Sequence, residues 1–193
     1  MKSAILIATL LALPIQVFAK DASANENLTH TIFYAAAISD VELSTRNKVS
    51  DYDEGMVHEL GYRYQINQYF AAESRFIKSS SIGAKQAISL GLIDGSLNYS
   101  VLVASGQARV ALTNNSYLYG NLGLTSYQWE YEKNGPWTPK DEMKSLKDSG
   151  IGSYLSVGAK YQWSRIELAI ENQWLKMGDV NASNITISVG YSF

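Results

Sequence analysis

The chain has 193 residues, 14 glycines, three prolines, two histidines, no cysteine and a formal net charge of −2. This length suits one domain, and the lack of cysteine excludes disulfide frameworks, cysteine-ligated zinc sites and thiol catalysis. The near-neutral charge argues against nucleic-acid binding, because no basic stripe is available to neutralise phosphates. So few prolines argue against a disordered or linker-rich protein.

The N-terminus has the features of a secretory signal peptide. Lys2 is followed by an apolar run from Ala4 to Val17, and Val17-Phe18-Ala19 is a small-x-small cleavage sequence. An uncleaved membrane anchor is the alternative, but a run of 14 residues is short for a helical span of about 20. We therefore predict a signal peptide over residues 1–19 and a mature domain over residues 20–193.

The mature sequence alternates apolar and polar residues with a period of two, which is typical of β-strands. In chain order, this pattern predicts eight strands at residues 30–39, 56–65, 69–78, 96–112, 117–131, 151–163, 165–176 and 184–193. The alternation blurs at Val101-Leu102-Val103 in the fourth strand, and we expect a β-bulge or a change of phase near Gly106.

Short and long connections alternate along the chain. The short ones are predicted at residues 66–68, 113–116 and 164, and the long ones at residues 40–55, 79–95, 132–150 and 177–183. In an up-and-down meander, all short turns then lie at one end and all long loops at the other. Short periplasmic turns and long external loops are typical of outer-membrane barrels.

The distribution of aromatic residues favours an apolar face that points outward into lipid. Aromatic side chains gather beside the short turns, as in the girdle of a membrane barrel, and they are Tyr62, Tyr64, Tyr69, Phe70, Tyr117, Tyr119, Tyr161, Trp163, Tyr191 and Phe193. A soluble lipocalin-like barrel, with its apolar face turned inward, is the alternative. In lipid the sheet must close, because an open edge would leave backbone groups without hydrogen bonds. The predicted fold is therefore all-β, an eight-stranded antiparallel up-and-down transmembrane β-barrel.

The opposite, polar face carries charges of both signs in balance. We predict that eight side chains point into the lumen as an ion-pair network: Glu59, Arg63, Glu73, Arg75, Arg109, Lys160, Glu167 and Glu171. An eight-stranded barrel is narrow enough for side chains to fill its interior. Such a network is structural in the first instance, and its rearrangement is a possible gate for a narrow ion path.

Several stretches together carry a family resemblance. They are Gly61-Tyr62-Arg63-Tyr64 with Asn67, Tyr69-Phe70 and Glu73, then Leu118-Tyr119-Gly120-Asn121-Leu122-Gly123, Gly158-Ala159-Lys160-Tyr161 and Val189-Gly190-Tyr191-Ser192-Phe193. With them the mature chain resembles the outer-membrane β-barrel family, the OmpA-type eight-stranded transmembrane domain also called porin-family protein. It departs at Trp163-Ser164-Arg165, where the family has a longer acidic turn, and at Asn172, where an aromatic residue is common.

The resemblance implies a location in the outer membrane of a Gram-negative cell. It also implies that Val189, Tyr191 and Phe193 form a C-terminal signal read by the barrel-assembly machinery. It does not define an activity, because one fold hosts many functions.

An enzymatic site finds little support in the residues. A lipid A-modifying hydrolase needs a serine, a histidine base and an orienting carboxylate, and the histidines are His30 and His58. His58 precedes Glu59, but neighbouring strand residues point to opposite faces. We predict no catalytic residue, no cofactor and no metal site.

The favoured function is that of a non-enzymatic outer-membrane barrel that supports envelope structure or surface interactions. A small-solute channel of the same architecture is the alternative, and a lipid A-modifying enzyme or a soluble periplasmic binder is less favoured. The expected partners are membrane lipid, lipopolysaccharide and the barrel-assembly machinery, with no nucleic acid. Loops 40–55, 79–95 and 132–150 are candidates for contact with a surface ligand, and the acidic loop 40–55 for divalent cations that bridge lipopolysaccharide.

Overall fold

The computed structural model describes residues 29–45, 48–80, 96–132 and 145–193, which form a closed antiparallel barrel of eight strands. The strands are β1 (His30–Thr45), β2 (Lys48–Gln65), β3 (Phe70–Ser80), β4 (Ser96–Ala111), β5 (Ser116–Glu132), β6 (Ser145–Trp163), β7 (Ile166–Met177) and β8 (Val180–Ser192). The predicted fold class is confirmed. Over the same residues there is no helix of the length and hydropathy needed to cross a bilayer.

Each strand pairs with its neighbours in sequence, and β1 closes the barrel against β8. The closing ladder runs from Thr31 opposite Ser192 to Leu43 opposite Val180. A closed ladder of this kind satisfies the backbone hydrogen bonds within the sheet and leaves no edge along the wall.

Side chains alternate strictly between the two faces of the wall. In β7, Glu167, Ala169 and Glu171 are buried in the lumen, whereas Leu168 and Ile170 are exposed on the outside. The outer face is therefore aliphatic and aromatic, as the sequence pattern predicts.

The strands are longer than predicted at the end away from the short turns. Thr45 pairs with Lys48, so most of the predicted loop 40–55 belongs to β1 and β2. The outward positions there are polar, as at Asp40 and Glu42, while apolar Val41 points inward, so the outward apolar pattern ends although the backbone ladder continues. The predicted bulge or change of phase near Gly106 is wrong: pairing on both sides of Gly106 is regular, and Val103 and Gln107 are both buried on the same phase. The register shifts between Ser39 and Val41 instead.

The predicted long loop 177–183 is also wrong. Met177 pairs with Val180, and the chain reverses through Gly178, whose φ of 63° suits a residue without a Cβ atom. Residues 145–150, predicted as loop, open β6. The signal peptide over residues 1–19 and the loop residues 46–47, 81–95 and 133–144 lie outside the described residues.

The rim opposite the short turns is therefore uneven. The β7–β8 hairpin turns at Gly178-Asp179, two residues beyond Lys176, which pairs with Ser153 of β6 at the end of the β6–β7 ladder. The β5–β6 ladder continues beyond this level to the pair of Glu132 and Ser145. Two-stranded and three-stranded segments of the wall thus project past the shortest hairpin.

Candidate functional site

The lumen is filled in two layers. The half nearer the short turns contains buried charged and amide side chains, and the other half contains an apolar cluster. The lumen is the natural candidate site, because it is where the chain brings its charged groups together.

Arg75 of β3 is the centre of the polar layer. Its Nη1 and Nη2 donate to Oε1 and Oε2 of Glu171 at 2.6 and 2.9 Å, and its Nε donates to Oε1 of Glu73 at 2.5 Å. Its Nη1 also lies 3.2 Å from Oε2 of Glu59. One guanidinium therefore contacts three carboxylates, in the fork geometry that arginine offers and lysine does not.

A second cluster lies beside the first and shares Glu73 with it. Arg63 donates from Nε to Glu73 at 2.7 Å and from Nη1 to Glu167 at 2.5 Å. Lys160 lies with its Nζ 3.2 Å from the other oxygen of Glu167. Because these residues come from β2, β3, β6 and β7, the ion pairs connect walls on opposite sides of the barrel.

Phe33 of β1 separates the two arginines. Its ring lies 5.2 Å from the Arg63 guanidinium carbon and 5.0 Å from that of Arg75, which are cation–π distances. The ring occupies the space above Gly61, where any Cβ atom would overlap it. Gly61 thus makes room for the aromatic ring that the two cations share.

Amide and hydroxyl groups extend the network along the lumen. Gln173 donates to Glu171 at 2.7 Å and to Glu59 at 3.1 Å, and accepts from Asn184 at 3.3 Å. Tyr154 donates to Glu171 at 3.0 Å. These groups compensate the desolvation of buried carboxylates, which ion pairing alone does not offset.

The polar layer contains one more carboxylate than cations among its buried members, which are Glu59, Glu73, Glu167 and Glu171 against Arg63, Arg75 and Lys160. The surplus falls at Glu59. Its Oε2 contacts Arg75 and Gln173, but its Oε1 has no hydrogen-bond partner among the described residues.

Arg109 is the exception among the eight predicted network residues. Within the described part of the chain it forms no ion pair: its Nε donates to the backbone carbonyl of Gln68 at 3.0 Å, and its guanidinium lies 4.8 Å from the ring of Tyr117. Arg109 lies opposite Tyr119 near the start of β5, so it is too close to the short turns to reach the carboxylates. The other seven lie together.

Two aromatic residues predicted for the outer girdle lie inside. Tyr119 is buried, with its ring 5.5 Å from Lys160 Nζ, and Tyr117 faces Arg109. Seven of the other eight are exposed: Tyr62, Tyr64, Phe70, Tyr161, Trp163, Tyr191 and Phe193. Tyr69, in the short turn between β2 and β3, is half-buried.

The half of the lumen away from the short turns is apolar, which the sequence analysis did not predict. It consists of Ala37, Val41, Val57, Ile77, Tyr99, Val101, Val103, Tyr127, Trp129, Tyr131, Tyr154, Leu175, Met177, Val180 and Ala182. The sequence did contain a sign of this apolar layer. Val101-Leu102-Val103 is apolar on both faces of β4, and the inward positions of β7 change from Glu171 to Leu175 and Met177. Apolar side chains on both faces of a strand indicate burial on both sides.

Both histidines lie on the outer face, away from the network. His30 contacts the Tyr62 hydroxyl and His58 the Tyr34 hydroxyl, each through Nδ1 at 2.6 Å. Glu59 points inward, so no histidine–carboxylate pair forms there. No group of metal-ligating side chains occurs among the residues that the structure describes.

The proposed C-terminal signal residues lie at the seam of the barrel. Val189, Tyr191 and Phe193 are exposed on the outside of the β8 end. The backbone of Phe193 exchanges two hydrogen bonds with that of His30, whose ring stacks on Phe193 at 5.6 Å. The last strand is thereby joined to the first.

The architecture matches known outer-membrane barrels. Ail of Yersinia pestis is similar to this chain with a TM-score of 0.58, 15% identity, and coverage of 86% of this chain and 99% of that one. Neisserial surface protein A gives a TM-score of 0.60, 14% identity, and coverage of 85% and 97%. OprG of Pseudomonas aeruginosa gives a TM-score of 0.55 at 14% identity, and the match covers 86% of this chain and 96% of OprG.

These similarities, all at low identity, show a shared fold. No curated protein sequence shows significant similarity to the chain. The sequence profile of the outer membrane protein beta-barrel domain matches residues 5–193. The resemblance noted in the sequence is thereby confirmed, and the chain belongs to the outer membrane protein beta-barrel domain family.

Proposed function

We propose that the chain is a non-enzymatic integral outer-membrane protein that supports envelope structure or surface interactions. The observation that carries this proposal is the filled lumen. Ion pairs join Arg75 and Glu171 across the barrel, and the apolar cluster occupies the other half. A lumen filled in both halves favours a rigid membrane element over a solute path.

The uneven rim supports a role in surface interactions. The β5–β6 ladder reaches Glu132 and Ser145, well beyond the β7–β8 turn at Gly178. Ail is named for attachment and invasion, and Neisserial surface protein A for the cell surface. For this chain we propose that the projecting hairpins form the surface for a ligand, with residues 40–55, 79–95 and 132–150, which the sequence analysis predicted as loops.

The same proposal covers export and location. We propose that residues 1–19 direct secretion in a Gram-negative cell, and that the barrel-assembly machinery reads Val189, Tyr191 and Phe193. Lipid and lipopolysaccharide surround the aliphatic outer face. Neither a cofactor nor nucleic acid has a role in this proposal.

A comparison of bacterial strains tests the structural role. Deletion of the gene should increase uptake of a hydrophobic dye through the outer membrane, and expression of the chain should restore the barrier. Unchanged dye uptake together with unchanged adhesion of the deletion strain to surfaces would contradict the proposal.

Conductance separates the proposal from the channel alternative. Purified protein in planar bilayers should give no reproducible single-channel events, because both layers of the lumen are packed. Reproducible events with one unit conductance would favour the channel. Lipid A from both strains, compared by mass spectrometry, should have the same acyl pattern if the chain is not an acyl-modifying enzyme.

A further inference from the structure

We propose that His58 and Lys78, on the outer face of β2 and β3, bind a phosphate group of lipid A, the acylated anchor of lipopolysaccharide. The inference rests on the proposed outer-membrane location and specifies where on the barrel such a lipid is held.

The two residues are direct neighbours across the sheet. His58 of β2 lies opposite Lys78 of β3, and both side chains are exposed on the outer face. Directly opposed residues of an antiparallel pair have Cβ atoms about 4.5–5.5 Å apart. One phosphate group can therefore contact both side chains.

Tyr34 orients the imidazole of His58. Its hydroxyl lies 2.6 Å from Nδ1, and the two rings are stacked with centroids 6.1 Å apart. Lipid offers the hydroxyl proton no acceptor, so Nδ1 is the acceptor that satisfies it. In the neutral ring the remaining proton is then on Nε2. The pair thus presents an N–H donor to the lipid side.

Lys78 is a cation at the edge of the apolar band. It lies two residues before the end of β3, with Phe76 next to it on the same face and Ser100 opposite on β4. Within the described residues, no carboxylate forms an ion pair with Lys78. A lysine near the end of a membrane-spanning element extends to the interface, where its favourable counter-ion is the phosphate of a lipid.

Below the two donors lies an apolar row suited to acyl chains. Leu60, Phe76 and Leu102 are consecutive cross-strand neighbours, one same-face step nearer the short turns. Their exposed fractions are 58%, 49% and 57%. Donors for phosphate above and an apolar platform below match the two parts of a phosphorylated, acylated lipid.

Two other features of the outer face provide comparisons. Lys176 of β7 is an exposed lysine at the same rim. It lies opposite Asn181 of β8, which in turn lies opposite Glu42 of β1, so a carboxylate is two strands away from it. His30 is also bonded to a tyrosine, but its ring stacks on Phe193 and lies opposite Tyr64. Among the described residues, only His58 and Lys78 combine an imidazole oriented by a tyrosine with a lysine whose partners on the two neighbouring strands are not carboxylates.

The test uses the purified full chain, stripped of lipid and placed in phosphatidylcholine nanodiscs. Lipid A with both phosphates is titrated, and binding is measured by native mass spectrometry. Lys78→Gln should weaken binding by roughly tenfold, as expected for loss of one charge-assisted contact. Lys176→Gln is the matched control and should leave it unchanged. Equal effects of the two substitutions would overturn the proposal.

The ligand is varied in the same assay. Lipid A from which the phosphates have been removed should lose most of the binding, whereas inorganic phosphate alone should not compete at equal concentration, because it lacks the acyl contact. Undiminished binding of the dephosphorylated lipid would refute the phosphate site.

The role of Tyr34 has a separate readout. In ¹⁵N-labelled protein, the Nε2–H signal of His58 should shift when lipid A is added, and Tyr34→Phe should abolish the single-tautomer signal. A His58 signal that lipid A leaves unmoved in the wild type would contradict the geometry. Heat-modifiable migration confirms that each variant is folded. A folded, inserted barrel without lipid A binding would refute this site while leaving the proposed function in place.

Discussion

Arg75 and Glu171 form a bidentate ion pair across the barrel, with Nη1–Oε1 and Nη2–Oε2 distances of 2.6 and 2.9 Å. They lie on β3 and β7, four strands apart in a closed barrel of eight. The pair thus connects diametrically opposite walls. Removal of Arg75 leaves Glu171 without a cation in contact among the described residues, whereas removal of Glu171 leaves Arg75 in contact with Glu73 and Glu59.

We expect Arg75→Gln to destabilise the barrel by about 3–5 kcal/mol, because three buried carboxylates lose the cation that they share. Glu171→Gln should cost less, about 1–3 kcal/mol, since Arg75 keeps Glu73 and Glu59. The measurement is urea unfolding of the protein inserted in lipid vesicles.

An exposed ion pair is the control for this experiment. Lys147 contacts Glu130 at 2.7 Å on the outer surface of the β5–β6 hairpin, and Lys147→Gln should change stability by no more than about 1 kcal/mol. An Arg75→Gln variant as stable as Lys147→Gln would contradict the structural role of the network.

Ile187 tests which face meets lipid. It is 66% exposed on the outside near the middle of β8, and Ile187→Arg should cost about 2–4 kcal/mol in vesicles. Asn181→Arg, near the outer end of the same strand, should cost about 0–1 kcal/mol. If the two substitutions have equal effects on the unfolding free energy, the apolar band is not in the bilayer.

Two strand glycines should respond differently to alanine. A Cβ atom at Gly61 would overlap the ring of Phe33, whereas one at Gly106 would meet nothing within 4 Å. Gly61→Ala should therefore cost about 1–3 kcal/mol through overpacking, while Gly106→Ala should be neutral or stabilise by up to about 1 kcal/mol. The free energy of unfolding of both variants is measured by denaturant titration. If Gly61→Ala is as stable as the wild type, Phe33 does not pack against Gly61.

Trp129 tests the apolar layer. Its side chain is buried, and its Nε1 has no hydrogen-bond partner among the described residues. Trp129→Ala should cost about 3–5 kcal/mol by leaving a cavity. Trp129→Phe should cost clearly less, because the indole N–H that it removes is unsatisfied. Similar unfolding midpoints for Trp129→Ala and the wild type would show that this half of the lumen is not packed.

The strand pattern was predictable because it is local. In β7 and β8 an apolar residue at every second position determines which face is outside, and the boundaries came within a few residues at the short turns. At the opposite rim the prediction failed, since the ladders from Ser39 to Thr45 and from Ser145 to Gly150 continue by backbone pairing and need no apolar face.

The charged residues of the lumen were predictable as a set but not as pairs. Inward phase alone grouped Glu59, Arg63 and Glu73 with Arg109, although Arg109 lies too close to the short turns to join them. Phe33 and Gln173 escaped prediction, because an aromatic or amide side chain on the polar phase has no distinctive spacing.

The sequence by itself determined that the chain forms strands with an apolar outer face and charges inside, because the alternation of apolar and polar residues is a property of neighbouring positions in the chain. Only the tertiary structure decided which charges meet. Contacts such as Arg75 with Glu171, 96 residues apart, depend on how the strands tilt and stagger when the sheet closes. The same closure placed His58 beside Lys78, and it divided the lumen into a polar and an apolar half.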